Sequence, residues 1–208
     1  MHLRRYVSLA LVAALCGCDQ RETAEDPAPA TSVRGLRGSP LPEPLPKPAF
    51  VLSRSDGTPY DFVRETDGKV ALLFFGYTNC PDVCPLHMAN IAAVLAKMPW
   101  EERNAVRVVF VTTDPERDTP ERLQRWLGAF DPAFVGLHGP RASVAQLERS
   151  LGLSPAVRGS DTAGSYSVSH AAQVIAFGRD NIARVAYPFG TRQEDWAHDL
   201  PRLVRESP

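Results

Sequence analysis

The sequence predicts an α/β fold with a mixed central sheet and helices on both of its faces. Two apolar runs, residues 70–77 and 106–112, have the length and composition of strands that are buried on both sides. A segment with apolar residues at helical spacing follows each run. Such alternation in a chain of 208 residues favours one layered domain rather than two.

Residues 1–18 have the features of a bacterial lipoprotein signal peptide. Arg4 and Arg5 precede a short apolar core that is too short for a conventional spanning helix. Leu15-Cys16-Gly17-Cys18 resembles a lipobox, in which Cys18 is lipidated and becomes the mature N-terminus. An uncleaved anchor or an ordinary signal is the alternative. Both place the domain in the cell envelope, and Asp19 favours the periplasmic side of the inner membrane.

Residues 19–48 are predicted to form a proline-rich tether between the lipid anchor and the domain. Prolines occupy alternate positions from Pro40 to Pro48, a pattern that favours the extended polyproline conformation. The folded domain is therefore expected to span residues 49–208. It should begin with a β-hairpin whose turn is Ser55-Asp56-Gly57.

The later elements complete the predicted order β-β-β-α-β-α-β-α-β-β-α. A helix is expected after Pro85, and another opens at Asp118-Thr119-Pro120, which supplies a cap residue and a first-turn proline. Two further strands form a hairpin before a final helix over residues 191–205, in which Pro201 is expected to produce a kink. This order predicts a mixed sheet that is covered on both faces.

Cys80 and Cys84 are the two thiols that remain once the signal is processed. They lie where a buried strand meets the start of a helix, a position that lowers the pKa of a thiol. This placement is that of a thioredoxin-like fold, although three residues rather than two separate the cysteines. The spacing permits a disulfide and also suits two thiolates on one soft metal ion.

Two thiolates leave a copper ion under-coordinated, so a further ligand is expected. His138 and His198 are predicted to be structural, His87 to be a solvated first-turn residue and Met88 to lie in an apolar helix stripe. His170 differs because it lies in a segment of small and polar residues that enters a late strand. In thioredoxin-like architecture that loop packs beside the cysteines, where a neutral imidazole completes a ligand set for copper.

Asp114, Arg117 and Asp118 follow the second buried strand, at the sheet edge that carries the cysteines. The favoured interpretation is structural: Asp118 caps the next helix, and Arg117 pairs with Asp114 within the loop. The alternative is that they position a partner or tune the site.

Three ordered stretches resemble the Sco/SenC family of copper proteins in cytochrome c oxidase assembly: residues 75–85, residues 111–120 and Ser169-His170-Ala171. The resemblance implies a thioredoxin-like fold that binds copper, as Cu(I), Cu(II) or both, through Cys80, Cys84 and His170. It also implies a role in building the dinuclear copper centre of oxidase subunit II. The family usually has an acidic residue where this chain has Ser169, so any role of that carboxylate is absent or moved.

The function favoured by the sequence is a lipid-anchored copper chaperone, not an enzyme, whose recipient is oxidase subunit II or another cupro-protein. The alternative is a thiol-disulfide oxidoreductase that reduces the recipient's cysteines. A peroxidase with Cys80 attacking and Cys84 resolving is a third hypothesis, and a structural disulfide across so short a loop would constrain little. A net charge of −1 without a basic, aromatic-rich run argues against nucleic-acid binding.

Overall fold

The computed structural model describes residues 35–160 and 166–205 of the chain. The strands of this part are, in chain order, β1 Ser39–Pro46, β2 Val51–Arg54, β3 Pro59–Asp61, β4 Val70–Gly76, β5 Val106–Thr112, β6 Val135–His138, β7 Val157–Arg158, β8 Val168–Ser169, β9 Val174–Phe177 and β10 Ile182–Tyr187. The helices are α1 Phe62–Glu65, α2 Val83–Leu95, α3 Trp100–Asn104, α4 Pro120–Gly128, α5 Arg141–Ser150 and α6 Gln193–Arg205.

Eight of the described strands form one mixed sheet in the order β1-β10-β9-β4-β5-β6-β2-β3. The central pairs, β4 with β5 and β5 with β6, are parallel, because α2 and α4 supply the crossover connections that parallel neighbours require. The other neighbours in the sheet pair antiparallel. The predicted mixed α/β fold and the hairpin of β2 and β3 are confirmed.

Alternate residues of β4 face the two halves of the hydrophobic core. Leu72 and Phe74 pack on the face covered by α2, α4 and α6, whereas Leu73 and Phe75 pack on the face covered by α5 and the hairpin. All residues of β4 are buried, because helices cover both faces of the sheet. For this reason the strand has no polar face and its sequence is a continuous apolar run.

Residues 39–46 form an edge strand, so the prediction of a tether as far as Pro48 is wrong for them. β1 pairs antiparallel with β10, and the Lys47 N–H donates to the Asn181 carbonyl at 2.8 Å. Prolines are tolerated in an edge strand because it has a partner on one side only, so a residue without an N–H donor can be placed toward the open side. The extended conformation of these residues is predicted correctly. The sequence does not predict that they pair with β10, because β10 lies near the other end of the chain.

A buried carboxylate on α6 fixes the chain ahead of β1. Asp199 is fully buried and accepts hydrogen bonds from the backbone N–H of Arg37, at 2.8 Å and 3.0 Å, and of Gly38, at 2.9 Å. The Tyr187 hydroxyl donates to the same carboxylate at 2.8 Å. Leu36 is also buried in the core. The folded domain therefore begins well before residue 49, which corrects the predicted boundary.

The remaining predicted elements are present, with shifted ends. α2 begins at Val83, ahead of Pro85, and α6 begins at Gln193 and continues through Pro201. The sequence does not predict α1, α3, β7 or β8, because a single helical turn or a two-residue strand leaves no hydrophobic period. The earlier start of α2 matters for function, since it places Cys84 in the first turn of the helix.

The predicted signal peptide, its lipidation residue Cys18 and residues 19–34 of the predicted tether lie outside the described residues. They stay predictions. Among the helices of the described part, none has both the length and the apolar character needed to cross a membrane.

Candidate metal centre

The two cysteines lie at the N-terminus of α2. After β4 the chain turns at Tyr77, whose carbonyl accepts the N–H of Cys80 at 3.1 Å. Asp82 caps α2, because its Oδ1 accepts the N–H of Val83 at 2.7 Å. Cys84 is the next residue of the helix. Both cysteines are therefore close to the positive end of the helix dipole.

His170 follows β8 and brings its imidazole to both sulfurs. Its Nε2 lies 3.7 Å from Cys80 Sγ and 3.6 Å from Cys84 Sγ, and the three candidate ligand atoms all lie within 4.8 Å of one another. Its Nδ1 lies 3.0 Å from the carbonyl oxygen of Ala171. Because a carbonyl oxygen only accepts, this contact places the proton of the neutral ring on Nδ1 and leaves the Nε2 lone pair facing the sulfurs.

Aromatic packing encloses this group and fixes the imidazole. The rings of Phe74 and Tyr77 meet the His170 ring edge-on, with centroids 5.9 Å and 5.6 Å away. Cys84 is fully buried, Cys80 is 7% exposed and His170 is half-buried. The ligand atoms therefore occupy a largely dehydrated site, in which thiolate and imidazole interact more strongly than they would in water.

The two thiols share a proton. A hydrogen bond from Cys84 holds the pKa of Cys80 well below its ordinary value, against the raising effect of burial, and contact with His170 lowers it further. Burial raises the pKa of Cys84, and the neighbouring Cys80 raises it further. Burial lowers the pKa of His170, but its contacts with Cys80 and Ala171 outweigh this effect and leave that pKa raised. A soft metal ion that binds both sulfurs therefore displaces the one proton that they share.

Gly76, the last residue of β4, makes room for the Cys84 sulfur. A Cβ at this position would lie 2.6 Å from Cys84 Sγ and 3.0 Å from the ring of Phe110. Both neighbours are fully buried, so neither can move without disturbing the core. The site therefore requires a residue without a side chain at this end of the strand.

Asp118 fastens the cysteine loop to the end of β5, and the prediction that it caps α4 is wrong. Its Oδ2 accepts the Thr78 N–H at 2.9 Å and the Thr112 hydroxyl at 2.7 Å, while its Oδ1 accepts the Thr78 hydroxyl at 2.5 Å. Thr119 is the cap of α4 instead. Because Asp118 is buried and satisfied by three donors, it fixes the backbone two residues before Cys80.

The predicted pairing of Arg117 with Asp114 is confirmed. Both residues also bind Tyr166, in the segment that leads to His170. Arg117 Nε donates to Asp114 Oδ2, and Arg117 Nη1 donates to the Tyr166 carbonyl at 2.9 Å. The Tyr166 hydroxyl donates to Asp114 Oδ1 at 2.7 Å, and its ring lies 3.6 Å from the Arg117 guanidinium. Tyr166 precedes β8, so the cluster holds the segment that carries His170 against the loop after β5. Sequence reasoning missed this role of Tyr166.

His87 is buried, which contradicts the prediction that it is a solvated residue. It is 2% exposed, its Nε2 lies 3.2 Å from the Ala172 carbonyl oxygen, and its ring meets Trp196 edge-on. Burial lowers the pKa of His87, so the neutral ring donates to this carbonyl. His87 thus supports the loop after His170. The burial of His87 could have been predicted from its spacing along the helix. His87 lies three residues after Cys84 and one before Met88, and all three lie on the buried face of α2.

The other predicted structural residues stand apart from the three candidate ligands. Met88 is fully buried in the core, as predicted. His198 lies with its Nδ1 2.6 Å from Asp199, and His138 is the last residue of β6. A metal ion needs several His, Cys, Asp or Glu side chains whose ligand atoms lie close together. Among the described residues, one such group of at least three is present, and it consists of Cys80, Cys84 and His170.

The family usually has an acidic residue at the position of Ser169, directly before the histidine. In this chain a buried acid, Glu148, lies on α5 instead. Ser169 is exposed, whereas Glu148 of α5 is 1% exposed. Glu148 Oε2 accepts the Ala156 N–H at 3.0 Å, and its Oε1 has no hydrogen-bond partner among the described residues. Burial raises the pKa of Glu148, and attraction to His170 opposes this. Glu148 holds the loop after α5, which borders a cavity of about 260 Å³ together with His170.

The fold and the site define a thioredoxin-like protein whose two cysteines and one histidine form a potential soft-metal site. The chain belongs to the SCO1/SenC family, since the family's sequence model matches residues 41–205. This confirms the resemblance predicted from the three ordered motifs.

Similar proteins include both sequence relatives and solved structures. The chain is 38% identical over 124 residues to a Stutzerimonas stutzeri protein, covering 59% of this chain and 60% of that one. ScoI of Bradyrhizobium japonicum, solved with copper bound, is 33% identical with a TM-score of 0.67, covering 76% of this chain and 99% of that one. A SCO1/SenC family lipoprotein from Bacillus anthracis is 25% identical with a TM-score of 0.62, covering 79% and 99%. The chain spans about half the length of the curated relatives it matches.

Gly76→Ala is expected to lower the free energy of unfolding by about 1–3 kcal/mol, because the added Cβ overpacks the contact with Cys84 and Phe110. Urea denaturation followed by circular dichroism measures this loss. Gly128→Ala is the matched control, since nothing lies within 4 Å of that position and alanine favours the helix. Equal stability of the Gly76 variant and the wild type would show that the close approach at Gly76 constrains nothing.

The reduced, metal-free protein is expected to keep the Cys80 thiolate from neutral into acid pH. Because the pKa of Cys80 is lowered, the thiolate is lost only as the pH falls through that lowered value. Cys84→Ala removes the hydrogen-bond donor and should raise the pKa of Cys80. The measurement is the ultraviolet absorbance of the thiolate against pH, taken as the difference from a Cys80→Ser variant. A wild-type titration near the ordinary thiol pKa of 9.0 contradicts the shared proton.

Proposed function

We propose that this protein is a copper chaperone that binds copper through Cys80, Cys84 and His170. The observation that carries the proposal is the approach of His170 Nε2 to both sulfurs, at 3.7 Å and 3.6 Å, with its other nitrogen directed to the Ala171 carbonyl. Membership of the SCO1/SenC family and the copper-bound ScoI structure support it.

The donor set fits copper better than a hard cation. Thiolate sulfur and imidazole nitrogen are ligands that copper prefers in either oxidation state, whereas calcium and magnesium select oxygen ligands. Copper is the cargo here. The sulfurs need little change on binding, because Cys80 already favours the thiolate form. The neutral form of His170, with its proton on Nδ1, presents Nε2 as the third ligand.

A cavity borders the candidate site on the side of His170, and we propose that the recipient approaches there. It is lined by His170 and its neighbours on one side and by residues 152–155 on the other. Ligand atoms of a second protein that enter here could replace the imidazole and then the sulfurs in turn, so copper passes between two ligand sets without release into water. We propose that the recipient is the dinuclear copper site of cytochrome c oxidase subunit II or of another cupro-protein.

We further propose that the protein is anchored by a lipid on Cys18, on the periplasmic side of the inner membrane. The short apolar core and the lipobox-like Leu15-Cys16-Gly17-Cys18 support this, as does the similar lipoprotein of Bacillus anthracis. Residues 19–34 would then connect the lipid to the domain that begins near Leu36. Such a tether confines the site to the membrane surface, where an integral recipient is reached by diffusion in two dimensions.

His170→Ala is expected to weaken Cu(II) binding by more than about 100-fold, since removing even a residue that only supports a ligand costs about 10–100-fold. The full-length, reduced protein is titrated with Cu(II) and with Cu(I) against a competing chelator, and the visible spectrum of the Cu(II) form is recorded. His198→Ala is the matched control, because its imidazole pairs with Asp199 rather than with the sulfurs. Unchanged affinity and spectrum in the His170 variant contradict copper coordination by this residue.

A second candidate function is reduction of a disulfide in the recipient, favoured by the proton that Cys80 and Cys84 share. The Cys80 thiolate attacks one sulfur of the recipient disulfide, and the released sulfur takes up a proton. Cys84, after losing its proton, then attacks the mixed disulfide. A bond forms between Cys80 and Cys84, and the second recipient thiol is released. The recipient disulfide is reduced and the Cys80–Cys84 pair is oxidised.

The two functions differ in their need for the imidazole. If copper transfer is the essential step, Cys84→Ser and His170→Ala both abolish oxidase assembly in cells that depend on this protein. If reduction alone is essential, Cys84→Ser abolishes assembly and His170→Ala leaves it largely intact. Oxidase activity and the redox state of the recipient's cysteines are the two readouts, and retained assembly in both variants contradicts both functions.

A further inference from the structure

His87 is a buried polar side chain that the proposed function does not use. It lies on α2 one turn after Cys84, so the two side chains are neighbours on the same face of the helix. His87 is 2% exposed, and its Nε2 lies 3.2 Å from the carbonyl oxygen of Ala172. His87 therefore joins the helix that carries one candidate ligand to the chain segment that carries another.

That segment is the histidine loop, residues 170–173, which connects β8 to β9. A cavity of about 260 Å³ borders all four of these residues, so the loop has room to move on that side. His87 does not line this cavity, and it holds the loop at Ala172, two residues after the candidate ligand. Loss of this hydrogen bond would leave the loop free to shift toward the cavity and away from α2.

Aromatic packing fixes the His87 ring. Phe74 and Trp196 meet it edge-on, with ring centroids 5.2 Å and 6.2 Å away. Both aromatic side chains are fully buried, so the ring cannot rotate without disturbing the core. The Phe74 ring also meets the His170 ring, at 5.9 Å, and so lies against both imidazoles. The donor that holds the histidine loop therefore has a fixed position relative to the candidate site.

The contacts of His170 itself do not fix its distance from the sulfurs. Its Nδ1 lies 3.0 Å from the Ala171 carbonyl oxygen, which belongs to the same loop. This contact orients the ring relative to the loop, whereas the contact of His87 with Ala172 orients the loop relative to α2. A binding site needs its groups held within about 0.5 Å of the productive geometry, so the second constraint matters as much as the first.

We infer, on the basis of the proposed copper site, that His87 is a positioning residue whose hydrogen bond to the Ala172 carbonyl keeps the His170 imidazole facing the two sulfurs. This role predicts a selective effect. Thiolate sulfurs are the ligands that select Cu(I), whereas Cu(II) depends more on nitrogen ligands. Loss of the His87 contact therefore weakens Cu(II) binding by a larger factor than Cu(I) binding.

The test replaces His87 in the full-length, reduced protein. His87→Leu removes the donor, and His87→Gln keeps an N–H group that can reach the carbonyl. Both variants are titrated with Cu(II) and with Cu(I) against a competing chelator, and electron paramagnetic resonance of the Cu(II) form records the coupling to the imidazole nitrogen. His87→Leu is expected to lower Cu(II) affinity about tenfold, the lower end of the 10–100-fold cost of losing a residue that supports a ligand. The nitrogen coupling should weaken with it, and His87→Gln should restore most of both.

Asn90→Ala is the matched control. Asn90 also lies on α2 and donates from its side chain to a backbone carbonyl, at 3.4 Å, but that carbonyl belongs to Thr191, ahead of α6. The substitution removes the same kind of contact without touching the histidine loop, so copper binding should equal that of the wild type. Thermal midpoints show which variants are folded. If His87→Leu does not fold, His87→Asn takes its place, since its amide is polar but one methylene too short to reach Ala172.

The outcomes separate this role from the proposed copper site. If His170→Ala weakens Cu(II) binding but His87→Leu binds as tightly as the wild type, the positioning role is overturned and the copper site stands. Equal losses of Cu(II) and Cu(I) affinity in folded His87→Leu and His87→Gln also overturn it, because they indicate a general structural role. Unchanged Cu(II) binding by His170→Ala overturns the proposed site, and the positioning role with it.

Discussion

The loop that follows β5 holds together the two chain segments on which the candidate ligands lie. Asp118 binds Thr78 in the cysteine loop, while Arg117 and Asp114 bind Tyr166 ahead of the histidine. The Cys84 sulfur and the imidazole are 86 residues apart in sequence, so closing that loop costs conformational entropy that neither segment alone can recover. Buried, charge-assisted hydrogen bonds from a third segment, the loop after β5, offset this entropic cost. The distance between sulfur and nitrogen thus depends on residues that are not themselves ligands.

Burial gives the site its two chemical capabilities. A dehydrated pair of sulfurs cannot hold two negative charges, so the thiols keep one proton between them and one sulfur is a thiolate. That thiolate is at once a soft metal ligand and a nucleophile. The imidazole separates the two chemistries: it completes a set of three ligands for a metal ion but has no necessary role in the exchange of thiols and disulfides. The proposed copper transfer and the proposed disulfide reduction would therefore use the same sulfurs and differ in their dependence on His170.

The two ends of the central sheet carry different features. The carboxyl ends of β4 and β5 lead into the cysteine loop and the loop with Asp114 and Asp118, as expected for parallel strands in an α/β sheet. The amino end of β5 carries Arg107, which lines a cavity of about 550 Å³. Between them, the buried apolar residues of β4 and β5 exclude water. The two ends of the sheet are therefore separated by an apolar layer.

The sequence by itself determined the fold class, the order of the central elements and the choice of candidate ligands. Strand and helix periods are local properties, and the cysteines together with a histidine in a polar loop are chemically distinctive. The tertiary structure decided which segments that are distant in sequence pair, form hydrogen bonds or bury one another. Only it pairs the proline-rich residues 39–46 with β10, moves Asp118 from a helix cap to a clamp on Thr78, and buries His87 beneath the histidine loop. The physical reason is that an extended segment, a carboxylate and an imidazole each have several satisfactory local partners. Burial against the rest of the chain selects one.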